Sequence, residues 1–215
     1  MTMTTILFDL DGTLVDSEPL SRIAWEQLLA VHGHTLSDVV YGSMVGNPTR
    51  ESAAMVREHY GLPAEASAIH AEKDAIWENI WLEGVPAMPG LFTLLDELRQ
   101  REIRWGVVTS STRRYAAHVL KKLGIDGECR ALVGGDEVSR NKPYPDAYLL
   151  GAERIGADVA CCWVVEDSTP GMQAGLNAGM RVLAIPGPLV VQEFVPEGVQ
   201  VIDSLADVLP AIDGK

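Results

Sequence analysis

Positive charge is scarce in this chain. Lys and Arg together number 17 against 30 Asp and Glu, a formal net charge of −13, and the pI is about 4.7. The basic residues are scattered, with only short pairs at Arg113-Arg114 and Lys121-Lys122. Such a balance favours solubility and argues against a surface for nucleic acid or acidic lipid. It also sets a requirement: an anionic substrate is repelled by the overall field and needs a local cationic group. Cysteine is scarce too. Cys129, Cys161 and Cys162 make an odd count with no CxxC spacing. That argues against a disulfide framework or a zinc site and fits a reducing cytoplasm. Cys161 and Cys162 run into Trp163-Val164-Val165 and read as buried strand residues. No apolar run reaches the length of a membrane span, and no basic n-region precedes the acid at Asp9. A cytoplasmic protein with no membrane partner, no nucleic-acid partner and no signal peptide is expected. Internal repeats and low-complexity tracts are missing as well.

What is present divides into two grammars. From about residue 16 to 84 the pattern is helical, with no convincing strand. Pro19 and an apolar stripe of Leu20, Ile23, Ala24, Leu28 and Val31 predict one helix, with Ser17 as its cap. Leu36 to Gly42 is a short helical piece. Further helices are predicted from Asn47-Pro48-Thr49 to Gly61 and from Pro63 to about Trp81. A linker rich in Pro and Gly follows at 83–90. Past it, helices alternate with strands that are apolar throughout: 104–109, 131–134, 161–165 and 181–185. Together with Ile6-Leu7-Phe8 this predicts an α/β fold, a doubly wound parallel sheet covered on both faces, with an all-helical domain inserted. With 215 residues and 47% hydrophobic content, one sizeable core and a smaller second domain are affordable. The expected division is a core of 1–15 and 85–215 and a helical cap of 16–84. Inserted directly after the first strand, the helical block is expected to cover the strand ends.

Ligands of open parallel sheets bind beyond the carboxyl ends of the strands. Polar residues gather at those ends. Asp9 and Asp11 follow the first strand, on the same side by the period of two. Thr109 and Ser110 follow the second long strand, and Glu166 and Asp167 follow a third. Gly12 permits a sharp turn after Asp11. Asp9 is a carboxylate nucleophile candidate, and Asp11 is placed to give and take protons. Four carboxylates in one crevice call for a divalent cation, and hard oxygen ligands favour Mg²⁺. The Thr109–Thr112 loop, ahead of a helix, suits a phosphate oxygen. Lys142, in Asn141-Lys142-Pro143-Tyr144-Pro145-Asp146, supplies the local cation.

These segments resemble the haloacid dehalogenase superfamily, in its phosphatase type with a helical cap. Asp9-Leu10-Asp11-Gly12-Thr13 is similar to the family's first motif and Val107-Val108-Thr109-Ser110 to its second. Lys142-Pro143 with Pro145-Asp146 is similar to the third. Glu166-Asp167-Ser168 with Gly171, Ala174 and Ala178-Gly179 is similar to the fourth. Four motifs in order make a specific signal. Asn141 departs from the glycine that often precedes the lysine. The resemblance implies Asp9 as nucleophile, Asp11 as general acid/base and Lys142 as charge neutraliser. By the same resemblance, Thr109 and the Ser110 backbone are expected to bind the phosphoryl group, and Mg²⁺ is expected on Asp9, the Asp11 main-chain carbonyl and Asp167, with Glu166 direct or through water. The implied activity is hydrolysis of a small phosphate ester, of the sugar phosphate or phosphoglycolate type, by a monomer.

Each residue also has a plainer reading. Thr109 and Ser110 are candidates for a helix cap as well as for phosphate binding. Trp25, Trp77 and Trp81 are read as packing of the helical block, Trp77 and Trp81 sharing one face at i, i+4. Arg50 is a candidate contact to a substrate's phosphate or carboxylate. The alternative activity is that of a β-phosphoglucomutase-like phosphosugar mutase. Those mutases carry a histidine where this chain has Ser21, which lowers that reading, while Arg50 keeps it open. A non-catalytic domain on the same fold is the third reading. Clustered acids that folding does not require argue against it.

Overall fold

The computed structural model describes residues 4–45, 49–185, 187 and 195–214. Its residues group into two compact units, 1–16 with 86–215, and 17–85.

The first unit carries a sheet built from β1 (Thr5–Phe8), β2 (Arg104–Val108), β3 (Leu132–Val133), β4 (Cys162–Glu166), β5 (Arg181–Ala184) and β6 (Val199–Val201). Every pairing is parallel and the order is β3-β2-β1-β4-β5-β6. The apolar runs explain it: β1 and β4 are buried along their whole length, as strands covered on both faces must be. Ile6, Leu7 and Phe8 are fully buried, each worth roughly 1.5–3 kcal/mol relative to exposure. The helices of this unit are α5 (Leu91–Gln100), α6 (Arg113–Leu123), α7 (Asp146–Ile155), α8 (Thr169–Asn177) and α9 (Val208–Ile212). Leu91, Leu94, Leu95 and Leu98 are the buried face of α5. Because β1 lies between β2 and β4, the chain winds outward in both directions from it. The tips of β2, β1 and β4 are therefore adjacent at the point where the winding reverses, the usual place for a ligand.

The second unit is helical: α1 (Glu18–Val31), α2 (Asp38–Met44), α3 (Thr49–Tyr60) and α4 (Ala66–Glu83). It has its own core, with Trp25, Leu28, Leu29, Tyr41, Val56 and Ile69 among the buried residues. Trp81 is buried, in keeping with packing. The Asn47-Pro48 start expected for α3 lies outside the described residues. Ser17 precedes α1 in a helical conformation and makes no side-chain cap bond. Pro19 in the first turn, with its pre-set φ, is left as that helix's start signal.

Two further differences separate expectation from structure. The edge strand β6 was not expected. It has three residues, two of them exposed, and so lacks the apolar run that marks the other strands. Cys161 lies in a 3₁₀ turn before β4, while Cys162 is buried in the strand, and all three cysteines are free. Among the described residues, no helix is long and apolar enough to cross a membrane.

Candidate active site

The tip of β1 places Asp9 where its backbone N–H still donates to Val165 O at 2.9 Å. Its side chain is only 9% exposed. Gly12 turns the chain away with φ at +80°, a conformation open to glycine at little cost. A Cβ at this position would also overlap the Asp167 carboxylate. Gly12 thus lets Asp167 lie against the chain just after Asp11.

Lys142 reaches this tip from the loop before α7. Its ammonium has three protons and makes three bonds: to Asp9 Oδ1 at 2.6 Å, to Glu166 Oε1 at 2.6 Å and to Val108 O at 2.9 Å. The loop is pinned from α8, where Asn177 Nδ2 donates to Pro143 O at 2.9 Å. Glu166 is fully buried and saturated. Oε1 accepts from Lys142 and from Tyr148 Oη at 2.8 Å. Oε2 accepts from the Asp167 and Ser168 amides, each at 3.2 Å, and from Ser168 Oγ at 2.9 Å. A Cβ at Gly171 would overlap the Glu166 carboxylate, so only glycine lets α8 start this close. Ser168 caps α8 by accepting from the Gly171 amide at 3.2 Å.

One ligand atom from each of Asp9, Glu166 and Asp167 lies within 4.8 Å of the others. These acids outnumber the ammonium that reaches them. Burial pushes the Asp9 carboxyl up from 3.8 to about 8; Lys142 pulls it down, while Glu166 and Asp11 add to the rise. Asp167 is also raised well above 3.8, by burial first and then by Asp9 and Glu166. Burial opposes the charge on Lys142, but Asp9 and Glu166 outweigh it and hold the ammonium above its ordinary value. The direction for the pair is therefore a charged lysine in a cluster short of positive charge. A hard divalent cation fits that deficit and the all-oxygen donor set.

Asp11 is held by hydroxyls. Ser111 Oγ donates to Oδ2 at 2.8 Å and Tyr115 Oη to Oδ1 at 2.6 Å. Thr109 is buried and its Oγ1 accepts from the Ser111 amide at 3.0 Å. It does not cap α6; that role falls to Thr112, which accepts from the Tyr115 amide at 3.4 Å. Ser110 is exposed beside it. Asp9, Asp11, Thr109, Ser110, Lys142, Glu166 and Asp167 all belong to the first unit. Arg50 belongs to the second, exposed in the first turn of α3.

Three side chains here escaped sequence reasoning: Ser111, Tyr115 and Tyr148. Tyr148 sits in the apolar stripe of α7 and reads as core, and its ring lies 5.1 Å from the Lys142 ammonium. A tyrosine in a buried stripe needs a partner for its hydroxyl, and that was the available signal.

A profile described as haloacid dehalogenase-like hydrolase matches residues 3–179. The chain is 37% identical over 185 residues to hexitol phosphatase A of Escherichia coli strain K12, covering 85% of this chain and 82% of that one. It is 33% identical over 217 residues to a protein of Drosophila melanogaster named as a pseudouridine-5'-phosphatase, covering 97% and 92%. Among solved structures, CbbY from Rhodobacter sphaeroides in complex with phosphate superposes with a TM-score of 0.82 at 26% identity, covering 99% of this chain and all of that one. The motifs at the strand tips, the sheet order and these likenesses agree: the chain belongs to the haloacid dehalogenase-like hydrolases, and within them it is a phosphatase.

Proposed function

We propose that the chain is a Mg²⁺-dependent phosphomonoesterase that works through an aspartyl-phosphate on Asp9 and takes a small ester of the sugar phosphate type. The observation that carries this reading is the buried Asp9 carboxylate at the tip of β1, 2.6 Å from Lys142 and grouped with Glu166 and Asp167. The names of the relatives, for a hexitol phosphatase and a pseudouridine-5'-phosphatase, support the substrate class. Asp9, Asp167 and the Asp11 main-chain carbonyl would hold the metal. Glu166, with five hydrogen bonds already accepted, is assigned to fixing Lys142 and the start of α8. Bound there, Mg²⁺ supplies positive charge that keeps Asp9 ionised and offsets charge on the phosphoryl oxygens.

The residues then divide the work. Asp9 attacks phosphorus in line, the P–O ester bond breaks with its electron pair on the ester oxygen, and that oxygen takes the proton of Asp11. In the second half, water attacks phosphorus and gives its proton to the Asp11 carboxylate. The bond between Asp9 and phosphorus breaks and inorganic phosphate leaves. Thr109 accepts from the Ser111 amide and so keeps its own proton for a phosphoryl oxygen, beside the Ser110 N–H. Positioning and charge supply most of the acceleration in such transfers. Arg50 is retained as a candidate contact for an anionic group of the substrate.

The test is phosphate release from several dozen phosphate esters by the purified protein with Mg²⁺. Asp9→Asn should lower turnover at least ~10³-fold, and chelation should abolish it until Mg²⁺ is returned. An Asp9→Asn protein with most of its activity left would sink the mechanism. Isomerisation of β-glucose 1-phosphate outpacing phosphate release would replace hydrolysis by the mutase reading.

A further inference from the structure

Proton transfer requires that Asp11 meet the ester oxygen in a fixed attitude, yet its backbone alone does not fix its carboxylate. Asp11 stands at the turn that opens with Gly12, whose amide donates to Val15 O at 2.8 Å. That anchors Asp11's main chain and leaves two side-chain torsions to be set. They are set from elsewhere: Ser111 Oγ on Oδ2 at 2.8 Å and Tyr115 Oη on Oδ1 at 2.6 Å. Both donors are themselves held. The Ser111 amide donates to Thr109 Oγ1 at 3.0 Å, and its carbonyl accepts from the Gly135 amide at 2.8 Å. Tyr115 is buried in the first turn of α6, its amide bonded to the Thr112 cap.

We infer that Ser111 and Tyr115 are positioning residues, a two-hydroxyl fork that orients the Asp11 carboxyl for proton transfer. The inference rests on the proposed role of Asp11 as general acid/base. Each carboxylate oxygen offers two lone-pair directions. One is taken by the fork, and the other stays open to a proton or to water. A hydroxyl suits the task because it can rotate to accept as well as donate, so the fork holds Asp11 in either protonation state. An ammonium or a backbone N–H there, which can only donate, would favour one state alone. The α6 start does two jobs: its loop presents N–H groups for phosphate, and its first turn supplies the donor that aims the acid.

Leaving-group dependence separates positioning from mere structure. A p-nitrophenolate leaves without a proton, whereas the alkoxide of glycerol 3-phosphate does not. Phosphoryl transfer to Asp9 sets kcat/KM, so only the second ester should feel a misplaced acid. Ser111→Ala and Tyr115→Phe should each lower kcat/KM for glycerol 3-phosphate roughly 10-fold or more, and the double variant about 100-fold, within the range of general acid catalysis. For p-nitrophenyl phosphate the loss should stay under about 3-fold. Ser111→Thr, which keeps the hydroxyl, should restore the first. Competitive inhibition by inorganic phosphate should be unchanged, which reports an intact phosphate site. Asp11→Asn is the reference and should show the same split more strongly. If Asp11→Asn shows the split and the fork variants do not, or if they lose equally on both esters, the fork is overturned and the role of Asp11 stands. If Asp11→Asn shows no split, or the wild type turns over neither ester, the parent reading falls and the fork with it.

Discussion

Each unit buries a lysine, and the groups seen around the two differ. The Lys142 side chain and the residue Lys73 are both 4% exposed. Lys142, in the sheet unit, meets Asp9, Glu166 and a main-chain carbonyl at bonding distance. Lys73, on α4 of the helical unit, lies with its ammonium 5.7 Å from the Trp25 ring and 5.0 Å from the Trp77 ring. A buried cation can be kept by opposed charge or by the negative faces of aromatic rings. The first arrangement stores electrostatic energy that the proposed chemistry can use, because the carboxylate that holds the ammonium is also the proposed nucleophile. Around the second, two aromatic faces line the ammonium.

Breaking Lys142 should therefore have the largest effect. Lys142→Met leaves Asp9 and Glu166 facing each other without compensation. Steady-state phosphate release should drop at least ~10³-fold, and urea unfolding at neutral pH should show a loss of about 3–5 kcal/mol. Tyr148→Phe is milder. It keeps the ring near Lys142 but leaves Glu166 Oε1 one donor short, so stability should fall by about 1–3 kcal/mol. At the proposed Mg²⁺ site, titration calorimetry should find affinity lowered roughly 10-fold, because a displaced Glu166 no longer fixes Lys142 and the start of α8 beside the proposed ligands.

A surface pair gives the intermediate case. Glu137 accepts from Arg154 at 2.8 Å and from the Gly134 amide at 2.9 Å. The Arg154 hydrogen bond leads the causes that lower its carboxyl from 4.5 to about 2. A depressed carboxyl adds stability above its unfolded value and loses it as pH falls through the folded one. The loss should occur between about pH 4.5 and pH 2. Glu137→Gln should flatten that part of the pH–stability curve, by about 1–2 kcal/mol once solvent screening is allowed for. Lys73→Met should cost less than Lys142→Met, about 1–2 kcal/mol by thermal unfolding through the lost ring contacts. A loss as large as that of Lys142→Met would erase the contrast between the two lysines.

The same contrast bears on what could be read from the residues alone. Asp9, Asp11, Thr109, Lys142, Glu166 and Asp167 were legible because each follows or ends an apolar strand or stands in a proline-rich loop, places where folding alone gives no reason for a charge or a hydroxyl. The parallel sheet was legible from its uninterrupted apolar runs. Tyr115 and Tyr148 were not, because a hydroxyl on a buried helix face looks like packing until its partner is located, and Ser111 was not, because a serine in a loop before a helix looks like part of a cap. Lys73 was not singled out from the scattered basic residues. A lysine between tryptophans far apart in sequence, Trp25 and Trp77, leaves no local pattern. The strand β6 escaped because three residues, two of them exposed, carry no period.

The sheet order also has a consequence in time. β1 pairs Thr5 with Arg104 on one side and with Cys162 on the other, so the central strand has no partner near it in sequence. Loop closure costs grow only logarithmically with length, which is why a whole helical unit can stand between β1 and β2 at modest thermodynamic expense. Rate is more sensitive, because distant pairings slow folding. β1 should be locked late, when β4 and the Lys142 loop arrive, and until then Asp9 remains an ordinary hydrated carboxylate. Hydrogen exchange pulsed during refolding reads this directly: late protection of the Ile6–Phe8 amides is expected, and early protection would show the strand nucleating the sheet instead.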